Sequence, residues 1–325
     1  MSAAAGRVAM VTGANGAIGL AICQGLAERG FEVVMACRNP ERARQAAREI
    51  EQAIPGARLR AEIVDVARKT EVFACAERFR GRLDVLVNNA AIAPRRRSET
   101  LEGIEVEFAT NVLGYVWMML AFEKHLLASS PARIVNVASY WAGDLDLDDL
   151  QFERRGYNND IAYRQSKQAD RMLTVAFAKR WSPSQITVNA CHPGDAHSTL
   201  SHALGYGGHE TPEQAADTPI WLATDPSVAG TTGKYFASRQ PRTCEFARDE
   251  AAITRLAKPG EGATNGVVRS SSSVCRRCSQ MSEASSDSSS WAFSAANSCS
   301  ESSWSSALFI DCKYSRAIRN LPSRD

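Results

Sequence analysis

The chain has 325 residues, of which 44% are apolar, and its 38 Lys and Arg almost balance 36 Asp and Glu, for a formal charge of +2. Such a balance argues against nucleic acid or a strongly anionic partner. The sequence has no apolar run of 18 residues, which argues against a transmembrane helix.

The N-terminus starts almost at the first strand, so no signal peptide is expected. That strand, Val8-Ala9-Met10-Val11, is short and continuously apolar. It runs into the glycine-rich turn Thr12-Gly13-Ala14-Asn15-Gly16-Ala17-Ile18-Gly19 and then into the helical pattern Leu20 to Ala27. Strand, glycine turn and helix in that order make a phosphate site. Glycines let the backbone approach a pyrophosphate, and a helix N-terminus offers free N–H groups and the positive end of its dipole.

The second strand, Phe31 to Ala36, is followed by Cys37 and Arg38. A site selective for NAD ends this strand with an acid that binds the ribose hydroxyls. Here an arginine stands instead, and a guanidinium can hold a 2′-phosphate through paired, charge-assisted bonds. The expected cofactor is therefore NADP(H). The bland alternative is that Arg38 only begins the basic helix Pro40 to Ile50. Asp65 follows the strand Leu59 to Val64 and could cap the segment after it.

Further along, the strand Leu83 to Val87 leads to Asn88-Asn89-Ala90-Ala91, and Arg95-Arg96-Arg97 reads as a solvated basic loop. The strand Ile134 to Ala138 ends at Ser139. Tyr163 and Lys167 are four residues apart, on one face of a helix. A phenol with a reference pKa of about 10 is a poor proton donor or acceptor at neutral pH. An ammonium fixed beside it favours the phenolate, which would suit a proton partner for a carbonyl or alcohol. Tyr157 has Ile161 four residues on and no lysine, so it is not expected to be catalytic.

These motifs, in this order, resemble the short-chain dehydrogenase/reductase family over about residues 6–250. Thr12 to Gly19 is similar to the family's Thr-Gly-x-x-x-Gly-x-Gly cofactor turn, and Asn88 to Ala91 to its Asn-Asn-Ala-Gly, with alanine in the last position. Asn111, Ser139, Tyr163 and Lys167 match its active-site residues, and His192-Pro193-Gly194 its Pro-Gly beside the nicotinamide. The resemblance implies that Thr12, Gly13, Asn15, Gly16, Ile18, Gly19, Arg38, Asp65, Asn89, Ala90, Pro193 and Gly194 contact the cofactor together with Tyr163 and Lys167. It implies that Asp65 meets the adenine, that Ser139 bonds the carbonyl oxygen, and that Asn111 holds a water linking Lys167 to solvent.

Ser139 precedes Tyr163 by 24 residues, with the insert Asp144 to Glu153 between them. That layout resembles the retinol dehydrogenase, WW-domain oxidoreductase and protochlorophyllide reductase branch. It implies an NADP(H)-dependent oxidoreductase acting on a carbonyl/alcohol pair, with a small hydrophobic aldehyde or ketone as substrate. Two readings stay open beside it: a double-bond reductase of the protochlorophyllide type, and a cofactor-binding regulatory protein without turnover. A counterpart to the hydrophobic N-terminal segment of membrane-anchored retinol dehydrogenases is not expected here. A cytoplasmic location is expected, with peripheral membrane association and a homodimer left open.

The expected fold is α/β: a Rossmann-type doubly wound parallel sheet in a single domain over residues 1–255. Cys23, Cys37, Cys75 and Cys191 fall in helix or strand context, as reduced thiols do. No metal site is expected from the histidines at 192, 197, 202 and 209 or from Cys275, Cys278, Cys299 and Cys312. Composition changes near Lys258-Pro259-Gly260. Residues 259–325 form a Ser- and Cys-rich stretch that cannot supply a regular apolar face, so disorder is expected. It reads either as a gene-model artefact or as a regulatory tail of phosphorylatable serines.

Overall fold

The computed structural model describes residues 6–257. The expectations for residues 259–325, including the four tail cysteines, lie outside the described residues.

Eight strands form one sheet in the order β3-β2-β1-β4-β5-β6-β7-β8. They are β1 (Val8–Thr12), β2 (Glu32–Cys37), β3 (Arg58–Ile63), β4 (Val85–Asn88), β5 (Ala132–Val137), β6 (Ile186–His192), β7 (Tyr235–Ala237) and β8 (Gln240–Arg242). All neighbours are parallel except β7 and β8, which form a closing antiparallel hairpin. The central strands are buried on both faces, and their sequences are apolar without alternation for that reason. The order reverses between β1 and β4, which opens a crevice at the carboxyl ends of those strands. The doubly wound α/β fold read from the sequence is the one observed.

Helices cover both faces. On one side, α1 (Ala17–Glu28), α2 (Pro40–Ala53) and α9 (Pro212–Thr224) enclose a core with Ile22, Leu26, Ile50 and Leu222. On the other lie α3 (Lys69–Arg78), a single turn α4 (Val106–Phe108), α5 (Gly114–Ala121), α6 (Glu123–Ala128), α7 (Asn159–Trp181) and α10 (Glu250–Ala257). Their core includes Trp117, Phe122, Phe177, Ile253 and Leu256. A short helix α8 (Thr199–Ala203) lies beyond β6.

Local chemistry sets the helix starts. Asn39 and Asn158 accept the N–H of Arg42 and Ile161, which caps α2 and α7. Thr211 and Gln214 form a capping box at α9, with Pro212 in its first turn. Between α4 and α5 the chain widens into one turn of π-helix, Ala109–Leu113, and Asn111 stands in it. Such a bulge bends the side-chain row of a helix and often marks a functional position. No helix among the described residues is long and apolar enough to cross a membrane.

Candidate active site

A cavity of about 320 Å³ runs along the carboxyl ends of the strands, from Arg38 at one end to Tyr206 at the other. Its first half is made mainly of backbone. Gly13 has a φ of +63°, and a Cβ there would come within 2.9 Å of the Ala90 Cα, so the turn after β1 fits against the turn after β4 only with glycine. A Cβ on Gly19 would overlap the Gly13 carbonyl and the Asn89 amide nitrogen. The N-terminus of α1 has no side-chain cap and no acid in its first turn. Its N–H groups therefore remain available to an anion, and the cradle fits the pyrophosphate of a dinucleotide.

Arg38, Asn39 and Arg42 close the far end of this half. Arg38 is largely exposed, with Nη1 4.0 Å from Asp65 Oδ2. Asp65 caps a turn and not a helix: its Oδ1 accepts from the Ala67 N–H, and α3 begins only at Lys69. Asn15, Gly16, Ile18, Ala90, Pro193 and Gly194 line the cavity as well. Thr12 lies behind the wall. Its hydroxyl accepts from the Asn89 and Ala90 N–H groups at 2.9 and 3.1 Å, which joins the two turns. Asn89 is also on the wall, and its amide ties the same joint by donating to the Thr12 carbonyl at 2.9 Å.

The second half is built from side chains on separate elements. Ser139 follows β5, Tyr163 and Lys167 project from the first turns of α7, and all three line the cavity, each at most 7% exposed. Ser139 stands beside the Tyr163 phenol and favours its ionised form. Burial nevertheless raises Tyr163 well above the ordinary phenol value, and Asp170, Glu107 and Asp195 raise it further. The sequence suggested that Lys167 would lower it. In the structure the Lys167 Nζ is 5.8 Å from the Tyr163 ring centroid, donates to the Val137 carbonyl at 3.1 Å and pairs with Asp170. Its charge is thus largely answered by Asp170, and desolvation dominates at the phenol.

Asn111 is fully buried beside the cavity, not on its wall. Its Oδ1 accepts from the Ile92 N–H at 2.9 Å, and its Nδ2 donates to the Ile92 carbonyl at 3.0 Å and to Ser166 Oγ at 3.2 Å. It pins the cavity wall at Ile92 to α7.

The family model of the short chain dehydrogenases matches residues 7–205. Human retinol dehydrogenase 13 is 33% identical over 77% of this chain and 82% of its own length. A protein of Streptomyces antibioticus named "Probable oxidoreductase" is 36% identical over 75% and 89%. Among solved structures, a gluconate 5-dehydrogenase of Burkholderia cenocepacia in complex with NADP and tartrate superposes with a TM-score of 0.58 at 26% identity, covering 72% of this chain and 93% of that one. The chain belongs to the short-chain dehydrogenase family. It is retinol dehydrogenase-like within that family, and it is an oxidoreductase that uses a nicotinamide cofactor.

In this family member several site residues escaped the sequence reading. Arg42 joins Arg38 at the nucleotide end. Asp170, three residues beyond Lys167, is its buried ion-pair partner. Glu107, four residues before Asn111, is fully buried, and burial pushes its carboxyl up to about 9. Both spacings put the acid on the same helix face as a known site residue, which is the signal that could have found them. Tyr157 donates to Glu107 Oε2 at 2.8 Å and does not line the cavity, which gives it a structural place. At the outer end Trp141 stacks on Tyr206, ring centroids 4.4 Å apart, near Leu200 and Leu204.

Proposed function

We propose that the protein is an NADP(H)-dependent oxidoreductase of a carbonyl/alcohol pair, acting on a small hydrophobic aldehyde or ketone. The observation that carries this reading is the meeting of Tyr163, Ser139 and Lys167 on the cavity wall at the junction of the nucleotide cradle and the aromatic outer end. Arg38 and Arg42, with no carboxylate at the tip of β2, favour the 2′-phosphate of NADP(H) over free ribose hydroxyls. Gly13, Gly16 and Gly19, with the first turn of α1, would hold the pyrophosphate, and Pro193 and Gly194 would border the nicotinamide.

A bound nicotinamide supplies or accepts the hydride at the carbonyl carbon. Tyr163 donates the proton to the carbonyl oxygen on reduction and takes it back on oxidation. The Ser139 hydroxyl orients that oxygen by hydrogen bonding. Lys167, whose ammonium is 5.8 Å from the phenol ring and paired with Asp170, would add a partly offset positive charge that favours the phenolate as it forms. The wall of Trp141, Tyr206, Leu200 and Leu204 offers an apolar surface for the rest of the substrate. The naming of human relatives as retinol dehydrogenases supports a hydrophobic alcohol or aldehyde as the class to try first.

The test is oxidation of NADPH by the purified protein over a panel of retinoid, steroid and aliphatic aldehydes and ketones. Turnover with at least one apolar carbonyl is expected. Tyr163→Phe should lower kcat by at least about a hundredfold, the usual share of a general acid, and leave NADPH affinity in place. A Tyr163→Phe protein that keeps more than a few per cent of turnover removes the assignment.

A further inference from the structure

Lys167 shares its pocket with a carboxylate that the reaction as described does not use. Asp170 Oδ2 is 2.9 Å from the Lys167 Nζ, and the two side chains are 0% and 1% exposed. The other carboxylate oxygen, Oδ1, is buried without a hydrogen-bond partner. Burying an ion pair costs desolvation that the attraction only about repays, and an unbonded oxygen adds to that cost. An asparagine at this position would keep the bond to Lys167 without the charge. The charge itself therefore calls for an explanation beyond stability.

The groups around the pair are few. From α5, Tyr115 presents its ring 5.1 Å from the Lys167 Nζ and spends its hydroxyl on the Val137 carbonyl. From α4, Glu107 is protonated at neutral pH because burial holds it near 9. From β6, the buried Cys191 thiol is raised well above its usual value and stays protonated. Asp195, in the segment after β6, faces Tyr163 at the cavity. On α7 itself, Arg171 turns to the Ser139 carbonyl and to the Tyr235 hydroxyl of β7. Among the described residues, Asp170 is the carboxylate in direct contact with Lys167. Its own carboxyl is pushed up by burial to about 6, which leaves it mostly ionised at neutral pH. It acts on Tyr163 in the direction that disfavours the phenolate.

We infer that Asp170 is a positioning residue that offsets the Lys167 charge and so reinforces burial in keeping Tyr163 in its proton-donating form. Asp170 then sets the alkaline edge of carbonyl reduction and leaves the reaction equilibrium unchanged. The inference rests on the proposed role of Tyr163 as proton donor.

Asp170→Asn tests it, since the amide oxygen can still accept from Lys167 while the charge is gone. The alkaline limb of the pH profile of kcat/KM for reduction should move to lower pH by about one unit, the size of a single charge acting over several ångströms in a partly screened interior. The acid limb of alcohol oxidation should move the same way. An ultraviolet difference titration of tyrosinate in the cofactor-free protein, each form compared with its Tyr163→Phe version, should report the same direction. Asp170→Glu should bring the limb back towards wild type. Asp170→Ser serves as a second neutral variant. A limb that stays in place in whichever neutral variant folds would overturn the inference, and so would loss of fold in both, which would make the pair purely structural. Failure of the underlying reading looks different: Tyr163→Phe would then retain turnover whatever Asp170 does.

Discussion

The two ends of the cavity are built by opposite means. The nucleotide end is a matter of backbone: three glycines, an uncapped helix start, and arginines that reach in from the surface. The catalytic end is a matter of buried titratable side chains, with Tyr163, Lys167, Asp170 and Glu107 all almost out of water. At the first end geometry decides what fits. At the second, desolvation and pairing decide which groups carry charge. Damage at the first end should therefore show in binding and stability, and damage at the second in pH dependence.

Gly19→Ala should break the first end most severely. Its Cβ meets the Gly13 carbonyl, which is backbone, and the Asn89 side-chain amide, which is held by its bond to the Thr12 carbonyl. Overpacking of this kind costs about 1–3 kcal/mol, and the cradle must open to relieve it. NADPH binding, followed by nucleotide fluorescence, should be lost together with several degrees of melting temperature. Intact binding would show that the turn after β1 has slack that its contacts do not suggest.

Arg38→Asp should be narrower. It removes a cation from the nucleotide end and sets a like charge beside Asp65 and an incoming phosphate. Losing such a contact costs a few kcal/mol, so NADPH affinity should fall by roughly a hundredfold while NADH affinity holds or improves. An unchanged NADPH/NADH preference would shift the 2′-phosphate contact to Arg42 or deny the preference altogether.

The same contrast explains how much could be read in advance. Short spacings such as Gly13-x-x-Gly16-x-x-Gly19 and Tyr163-x-x-x-Lys167 are local, and local geometry is what a sequence carries most directly. The doubly wound parallel sheet followed because apolar runs alternate with helical stretches, and that pattern admits few topologies. Arg42 was missed because one helical turn hid it inside a basic stretch. The partnership of Asp170 with Lys167 was missed for a different reason. At that spacing the bland reading is a solvated pair, and only burial turns it into an electrostatic device. The π-turn at Asn111 and the burial of Glu107 depend on how α4 and α5 meet α7, which no local pattern encodes.

Glu107 sharpens the comparison through stability. With its carboxyl held near 9 in the fold and an ordinary value near 4.5 when unfolded, the native state binds a proton that the unfolded chain releases in between. Stability from this group is full at low pH and falls as pH rises through that window, by at most about 1.4 kcal/mol per pH unit. Glu107→Gln removes the proton from the balance and can still meet Tyr157 and Asn111. Its melting temperature relative to wild type should rise steadily from about pH 5 to about pH 8. A difference that is flat with pH would mean that Glu107 is ionised in the fold, with Lys167 answering its charge.

The smallest effect is expected furthest from either end. The last described helix, α10, brings Ile253 and Leu256 into the core beneath α7, and a surface ion pair, Lys179 with Glu250, adds little to that. The apolar face of α10 is thus already covered by residues before 258. A chain ending just before Pro259 should keep its NADPH affinity, and its melting temperature should stay within about 2–4 °C, the shift that 1 kcal/mol causes in a domain of this size. Calorimetry on the full and shortened chains decides it. A much larger drop, or an insoluble shortened chain, would mean that residues beyond 258 stabilise the sheet domain, and that the boundary read from composition is misplaced.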